Sequence, residues 1–190
     1  MPESTGSRAR AVAGAVAAAV IFSVLLSVLF RITPTRSILS EVVLQSERGV
    51  VTLDRPLATA QRLWLDLRIE RPAAIVVYLV DPEGQLSDVY PNDGRVERLS
   101  SPQTRVPPGD ATFETASLRD GSYLLFIVGA AQPLSRERRA ELTERLREGL
   151  RAVLRSEISI DRLPVEVEAA FEEESLEIVP RQFALDRKKR

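Results

Sequence analysis

Residues 62–70 read RLWLDLRIE, and the alternation in this stretch decides how the chain folds. Every second position is apolar, namely Leu63, Leu65, Leu67 and Ile69. The positions between them carry Arg62, Trp64, Asp66, Arg68 and Glu70. In a β-strand, successive side chains point to opposite faces, so residues two positions apart share a face. The stretch therefore predicts a half-buried β-strand with one face in a core.

Further strand candidates lie on both sides of this stretch. Residues 73–80 (AAIVVYLV) and 122–129 (SYLLFIVG) are rich in β-branched and other apolar residues, as in central strands. The turn 81–84 (DPEG) leads into a returning strand at 85–90. The other candidates are 41–46, 49–54, 112–118 and 176–185. Strands spaced about eight to twelve residues apart, with turns between them, predict an antiparallel β-sandwich.

The pattern becomes helical after Pro133. Ser135 is a suitable N-cap, and apolar residues then recur at helical spacing at Leu142, Leu146, Leu150, Val153 and Leu154. Pro164 occupies a favoured first position for a second, short helix at 164–171. We therefore predict a mainly β domain, sandwich-like and antiparallel, with one or two C-terminal helices.

The N-terminal part of the chain has a different character. Residues 11–30 (AVAGAVAAAVIFSVLLSVLF) contain no charge, and a helix of this length covers about 30 Å, the thickness of the bilayer core. A cleaved signal peptide is the rival interpretation, but Arg31 follows where a small-residue cleavage site is expected. We predict a single transmembrane helix. Gly14 and Ala18 form a small-xxx-small pair suited to helix dimerisation, although alanine is simply common in this segment, which is the interpretation we prefer.

The predicted organisation has five parts. A short tail (1–10) precedes the transmembrane helix (11–30) and a juxtamembrane linker (31–40). A β-rich domain with C-terminal helices (41–185) and a basic tail (186–190) follow. A tail of ten residues usually stays in the cytoplasm. We therefore expect an inner-membrane protein with its N-terminus inside and its C-terminal domain in the periplasm.

Composition removes several classes of chemistry. The sequence contains neither cysteine nor histidine, which excludes thiolate chemistry, Ser-His-Asp triads and histidine zinc sites within this chain. The formal net charge is −1 and aromatic residues make up 5%, so nothing indicates a nucleic-acid partner. We expect no cofactor.

Several motifs carry a family resemblance. They are 77–84 (VYLVDPEG), 89–92 (VYPN), 106–109 (VPPG) and, in part, 131–134 (AQPL). In these turns and strands the chain resembles the domain of unknown function 4384, a bacterial family. The resemblance implies a small β-rich accessory module without catalytic residues, often attached to or encoded near caspase-like peptidases and serine/threonine kinases.

Three side chains are candidate partner contacts. Trp64 lies on the polar face of its strand, where it either anchors a partner or is covered by the helix at 135–155; we expect the helix to bury it. Arg145 and Arg151 lie on the polar face of that helix. The turn aspartates are a candidate Ca²⁺ site, but local hydrogen bonding in turns is the preferred interpretation for Asp81, Asp88, Asp93, Asp110 and Asp120.

These features favour a non-catalytic sensory or protein-binding module of the bacterial cell envelope. It is expected to act through another envelope protein, such as a regulated protease or kinase, and the transmembrane helix offers a route to a homodimer. The alternative is a scaffold component of an envelope or secretion complex. A third hypothesis is a metal-independent hydrolase built on paired carboxylates.

Overall fold

The computed structural model describes residues 37–57, 61–91, 98–100 and 102–186. The predicted membrane helix at 11–30, which contains Gly14 and Ala18, lies outside these residues, as do Asp93 and the basic residues 187–190. Within the described ranges, no helix is both long and apolar enough to cross a bilayer.

The described residues form two antiparallel β-sheets and two α-helices. The first sheet has the order β2-β1-β3-β7, and β8 also pairs with β3; its strands are β1 (Leu39–Ser46), β2 (Gly49–Val50), β3 (Arg62–Ile69), β7 (Gln103–Val106) and β8 (Phe113–Glu114). The second sheet has the order β10-β9-β4-β5, and β6 also pairs with β4; its strands are β4 (Ala73–Val80), β5 (Leu86–Tyr90), β6 (Arg98–Leu99), β9 (Gly121–Ala130) and β10 (Leu176–Leu185). The helices are α1 (Arg136–Leu154) and α2 (Leu163–Ala170), followed by a 3₁₀ turn at Glu172–Glu174. The prediction of a mainly β fold with one or two C-terminal helices is confirmed, and the described residues contain two.

A core lies between the two sheets. The apolar face of β3 is at most 5% exposed, as its alternation predicts. It packs with Val42 and Leu44 of β1 and, from the second sheet, with Ile75, Ile127 and Phe183. The polar face of β3 points away from this core, and its side chains are accordingly exposed or half-buried.

A second core lies between the second sheet and the helices. The opposite faces of β4 and β9 carry Tyr78 and Phe126, both fully buried, which pack with Leu142 and Leu146 of α1 and with Val167 of α2. Strands that are apolar on both faces need a covering layer on each side. The helices supply that layer for the second sheet. The prediction that the helix at 135–155 covers Trp64 is therefore wrong, because α1 packs on the other sheet.

The folded domain begins earlier than predicted. Ile38 and Leu39 are 1% and 5% exposed, although the sequence pattern places both in a linker at 31–40. One carboxylate of β10 holds them: Glu177 accepts hydrogen bonds from both backbone N–H groups and from the Ser37 hydroxyl. No Cβ fits at Gly129, since it would lie 2.9 Å from Cγ2 of Ile38. These residues are therefore part of the core.

Other differences concern short strands. The candidates at 49–54 and 112–118 reduce to two residues each, β2 and β8. Strand β7 was not predicted at all, because Gln103–Val106 is polar and stands between Pro102 and Pro107. It nevertheless extends the first sheet by pairing with β3 from Leu65 to Arg68.

The outer edge of β10 is largely closed to further pairing. The N–H of Ile178 donates to Glu168, and the carbonyl of Ala184 accepts from the N–H of Leu57 at 2.8 Å. Pro180 has no N–H, and its carbonyl accepts from Nη1 of Arg181 at 2.9 Å. Proline and local capping of this kind are devices that protect edge strands.

Candidate functional site

The outer face of the first sheet carries the candidate site. Three strands present side chains there, and none of these side chains is buried. We call this surface the open face; its residues are Glu41, Val43 and Gln45 of β1, Trp64, Asp66 and Arg68 of β3, and Gln103 and Arg105 of β7. All of them except Trp64 line a shallow depression of about 490 Å³.

Trp64 and Arg105 form the most specific contact on the open face. The guanidinium carbon of Arg105 lies 4.4 Å from the centroid of the Trp64 ring. A cation–π contact at an exposed site contributes about 0.5–1 kcal/mol. Among the described residues, Nε of Arg105 is shielded from solvent without a hydrogen-bond partner. The ring therefore holds the guanidinium largely by stacking.

Opposite charges face each other across the strands. Glu41 pairs in register with Arg68, and Asp66 pairs in register with Arg105. Each directly opposed pair of unlike charges stabilises a sheet by about 0.2–1 kcal/mol. With two carboxylates and two guanidinium groups, these four residues have no net charge. These four residues therefore exert little long-range electrostatic attraction.

The predicted contacts on the helix lie elsewhere. Arg145 and Arg151 are exposed on α1, and Nη1 of Arg151 lies 3.6 Å from a Glu144 carboxylate oxygen. The second sheet separates α1 from the first sheet. Consequently Arg145 and Arg151 cannot join Trp64 in one contact surface.

The turn aspartates do not gather into a cation site. Asp81 accepts the backbone N–H groups of Glu83 and Gln85 at 3.0 and 2.7 Å, as expected for a turn residue. Asp88 pairs instead with Arg139 of α1. In the part of the chain that the structure describes, no three acidic side chains are placed to hold a metal ion together.

Asp88 belongs to a polar contact between α1 and the second sheet. Burial raises the pKa of the Asp88 carboxyl, and the charge of Arg139 offsets part of this effect. Nearby, the Tyr78 hydroxyl lies 3.3 Å from Oγ1 of Thr143, and burial raises the pKa of Tyr78. This contact fixes the helical layer against β4 and β5.

The main residue missed from the sequence is Arg105. Its strand has no apolar alternation, so only the pairing with β3 places Arg105 beside Trp64. A tryptophan among charged residues is a signal that the sequence does contain, and it identifies Trp64 but not Arg105.

Comparison with known proteins adds no relative. No family model matches the chain, and no curated protein matches it. The resemblance to the domain of unknown function 4384 stays a prediction from the turn and strand motifs.

Proposed function

We propose that this chain is a non-catalytic protein-binding module of the bacterial cell envelope, anchored by residues 11–30, with the open face as its docking surface. It acts through another envelope protein, such as a regulated protease or kinase. The observation that carries the proposal is the Trp64–Arg105 stack at 4.4 Å on a sheet face without buried side chains.

The chemistry of the open face suits protein recognition. Tryptophan and arginine are the residue types most enriched among side chains that dominate binding energy at interfaces. Here one of each is already stacked, so less side-chain entropy is lost when a partner covers them. The paired charges around the stack provide a polar rim that fixes orientation.

The docking surface is tested with a photo-crosslinking residue placed at Val43 in the full-length chain. Crosslinking in membranes is expected to capture a defined protein. The substitution Trp64→Ala is then expected to weaken its binding about 30-fold, which corresponds to a loss of about 2 kcal/mol at a dominant contact.

Arg147→Ala on α1 is the control, because this exposed arginine lies in the helical layer. It is expected to leave capture unchanged. Equal capture by the wild type and Trp64→Ala would refute the docking surface. A partner that co-purifies in fixed stoichiometry after mild detergent extraction would favour the scaffold alternative.

The anchor is tested separately. Membranes containing the full-length chain are washed with alkaline carbonate, and the chain is expected to stay in the pellet because twenty uncharged residues are embedded in lipid. Release into the supernatant would contradict the membrane assignment.

A further inference from the structure

The two edge strands of the second sheet differ. Strand β10 closes one edge, since the N–H of Ile178 donates to Glu168 and Pro180 has no N–H. Strand β5 forms the opposite edge and pairs with β4 on its inner side. Among the described residues, no strand pairs with the outer side of β5. Because unpaired main-chain groups on an edge strand are a template for another strand, strand addition to this sheet is directed to β5.

The turn before β5 determines which of its main-chain groups point outward. The N–H of Asp81 donates to the carbonyl of Gln85 at 3.0 Å, so these two residues form a hydrogen-bonded pair. Hydrogen-bonded and non-hydrogen-bonded pairs alternate along an antiparallel ladder. Two residues after Gln85, Ser87 therefore bonds inward to β4, whereas the N–H and carbonyl groups of Leu86 and Asp88 point outward.

An apolar cleft of about 490 Å³ opens beside this edge, between β5 of the second sheet and the short strand β8 of the first. We call it the inter-sheet cleft. Its walls include Leu79, Val89, Phe113 and Leu118, which are only half-buried although they pack against the core. Phe183 also lines it and is 1% exposed, so the cleft reaches the core itself. The sandwich therefore leaves part of its core uncovered beside its open edge.

Among the described lining residues, no charged side chain enters the inter-sheet cleft. Asp88 is in register with Tyr78, on the helix-covered face of the second sheet, and pairs there with Arg139. Glu114 is in register with Arg62 and pairs with it on the outer face of the first sheet. The cleft is therefore lined by apolar groups and hydroxyls. A charged group that entered it would lose its solvation without gaining a partner.

A strand added to β5 would use the edge and the cleft together. Ser87 is in register with Leu79, and both line the cleft. Directly paired residues share a face of a sheet, so the partner residue opposite Ser87 points its side chain into the cleft. Its two neighbours lie opposite Leu86 and Asp88, where main-chain hydrogen bonds are exchanged. In strand addition, main-chain bonds give affinity and pockets for alternate side chains give specificity.

We propose that the outer edge of β5 binds an extended segment of a partner protein, which pairs antiparallel with β5 and places alternate apolar side chains in the inter-sheet cleft. Antiparallel pairing matches the rest of the sheet and is slightly more stable per residue than parallel pairing. This site does not depend on the open face, which lies on the outer side of the first sheet, so either proposal can fail without the other.

The probe is the synthetic peptide KTITITK, in which isoleucine alternates with threonine. The full-length chain is held in lipid nanodiscs, and fluorescence anisotropy of the labelled peptide measures Kd, with empty nanodiscs subtracted. With isoleucines in the cleft, the threonine amides face β5, so their N-methylation is expected to weaken binding at least tenfold. N-methylation of the isoleucine amides, which point away from β5, is the matched control and is expected to change Kd less than threefold.

Amide exchange measured by NMR locates the bound peptide on the chain. The N–H groups of Leu86 and Asp88 are expected to exchange at least tenfold more slowly with saturating peptide, because they become donors to it. The N–H of Ser87 already points inward to β4 and is expected to change less. Unchanged exchange at Leu86 and Asp88 would contradict strand addition at this edge.

Substitutions in the chain separate this site from the open face. Ser87→Arg places a bulky charged side chain at the cleft and is expected to weaken peptide binding at least tenfold. Ser159→Arg, in an exposed loop outside the described lining, and Trp64→Ala are expected to leave it unchanged. The proposal is overturned if Ser87→Arg binds the peptide as tightly as the wild type, if both methylated peptides bind equally, or if no binding exceeds the empty-nanodisc signal. Loss of binding in Trp64→Ala alone would place the peptide on the open face and equally overturn it.

Discussion

The N-terminal boundary of the folded domain gives a quantitative prediction. Two shortened chains are compared, one beginning at residue 32 and the other at residue 41. Compared with the first, the second additionally lacks only residues 32–40, which the sequence pattern places in a linker. These nine residues include Ile38 and Leu39, which are 1% and 5% exposed and lie against Gly129.

The expected loss follows from what these residues contribute. Burial of an isoleucine or leucine side chain is worth about 1.5–3 kcal/mol, so the pair contributes about 3–6 kcal/mol. The shorter chain also loses the bond from the N–H of Glu70 to the carbonyl of Ile38, at 3.0 Å, and leaves the Glu177 carboxylate without its partners. Domains are usually stable by only about 5–15 kcal/mol. We therefore expect the chain from residue 41 to be marginally folded or unfolded.

The assay is urea unfolding followed by circular dichroism, with amide exchange of β1 measured in parallel. The chain from residue 32 is expected to unfold cooperatively. Within that chain, Ile38→Ala is expected to lower the free energy of unfolding by about 2–5 kcal/mol, as for other large-to-small core substitutions. If both chains unfold at the same urea concentration, residues 38 and 39 do not belong to the core and the reasoning is refuted.

Three further predictions concern single side chains. Gly129→Ala is expected to lower the melting temperature, because the added Cβ would lie 2.9 Å from Ile38; a melting temperature equal to that of the wild type would contradict the packing. Ser135→Ala is expected to cost about 1 kcal/mol in chemical unfolding, because the serine hydroxyl accepts the N–H of Arg138 at the start of α1, and a loss below about 0.3 kcal/mol would contradict the cap. Burial raises the pKa of Glu168 above its ordinary value of 4.5, so the wild type loses stability from this group as pH rises through the folded-state pKa. In parallel urea titrations, the free energy of unfolding of Glu168→Gln relative to the wild type is therefore expected to increase from pH 4 to pH 7. A decrease would contradict a raised pKa of Glu168.

Local pattern was sufficient for most of the fold. The alternation at 62–70 gave β3 with its correct buried face, and Ser135 gave the start of α1. Both signals are local, since a strand face and an N-cap are decided within a few residues. The two long apolar stretches became β4 and β9, as expected.

The position of the helices depends on contacts between distant segments. We expected α1 to cover Trp64, yet it packs on Tyr78 and Phe126 of the second sheet. The sequence contained the relevant signal: β4 and β9 are apolar on both faces and need two covering layers, whereas β3 is apolar on one face only. Arg105 could not be placed beforehand, because β7 becomes a strand only through pairing with β3.

The outer edge of β10 has a consequence for self-association. Cross-β growth requires an uninterrupted series of amide donors and carbonyl acceptors along an exposed strand. On β10 that series is broken at two successive outward positions. The N–H of Ile178 already donates to the Glu168 carboxylate, and Pro180 has no N–H. Copies brought to high local density therefore meet a strand that is a poor template for fibrils, and the ten-residue length of β10 does not become an aggregation hazard.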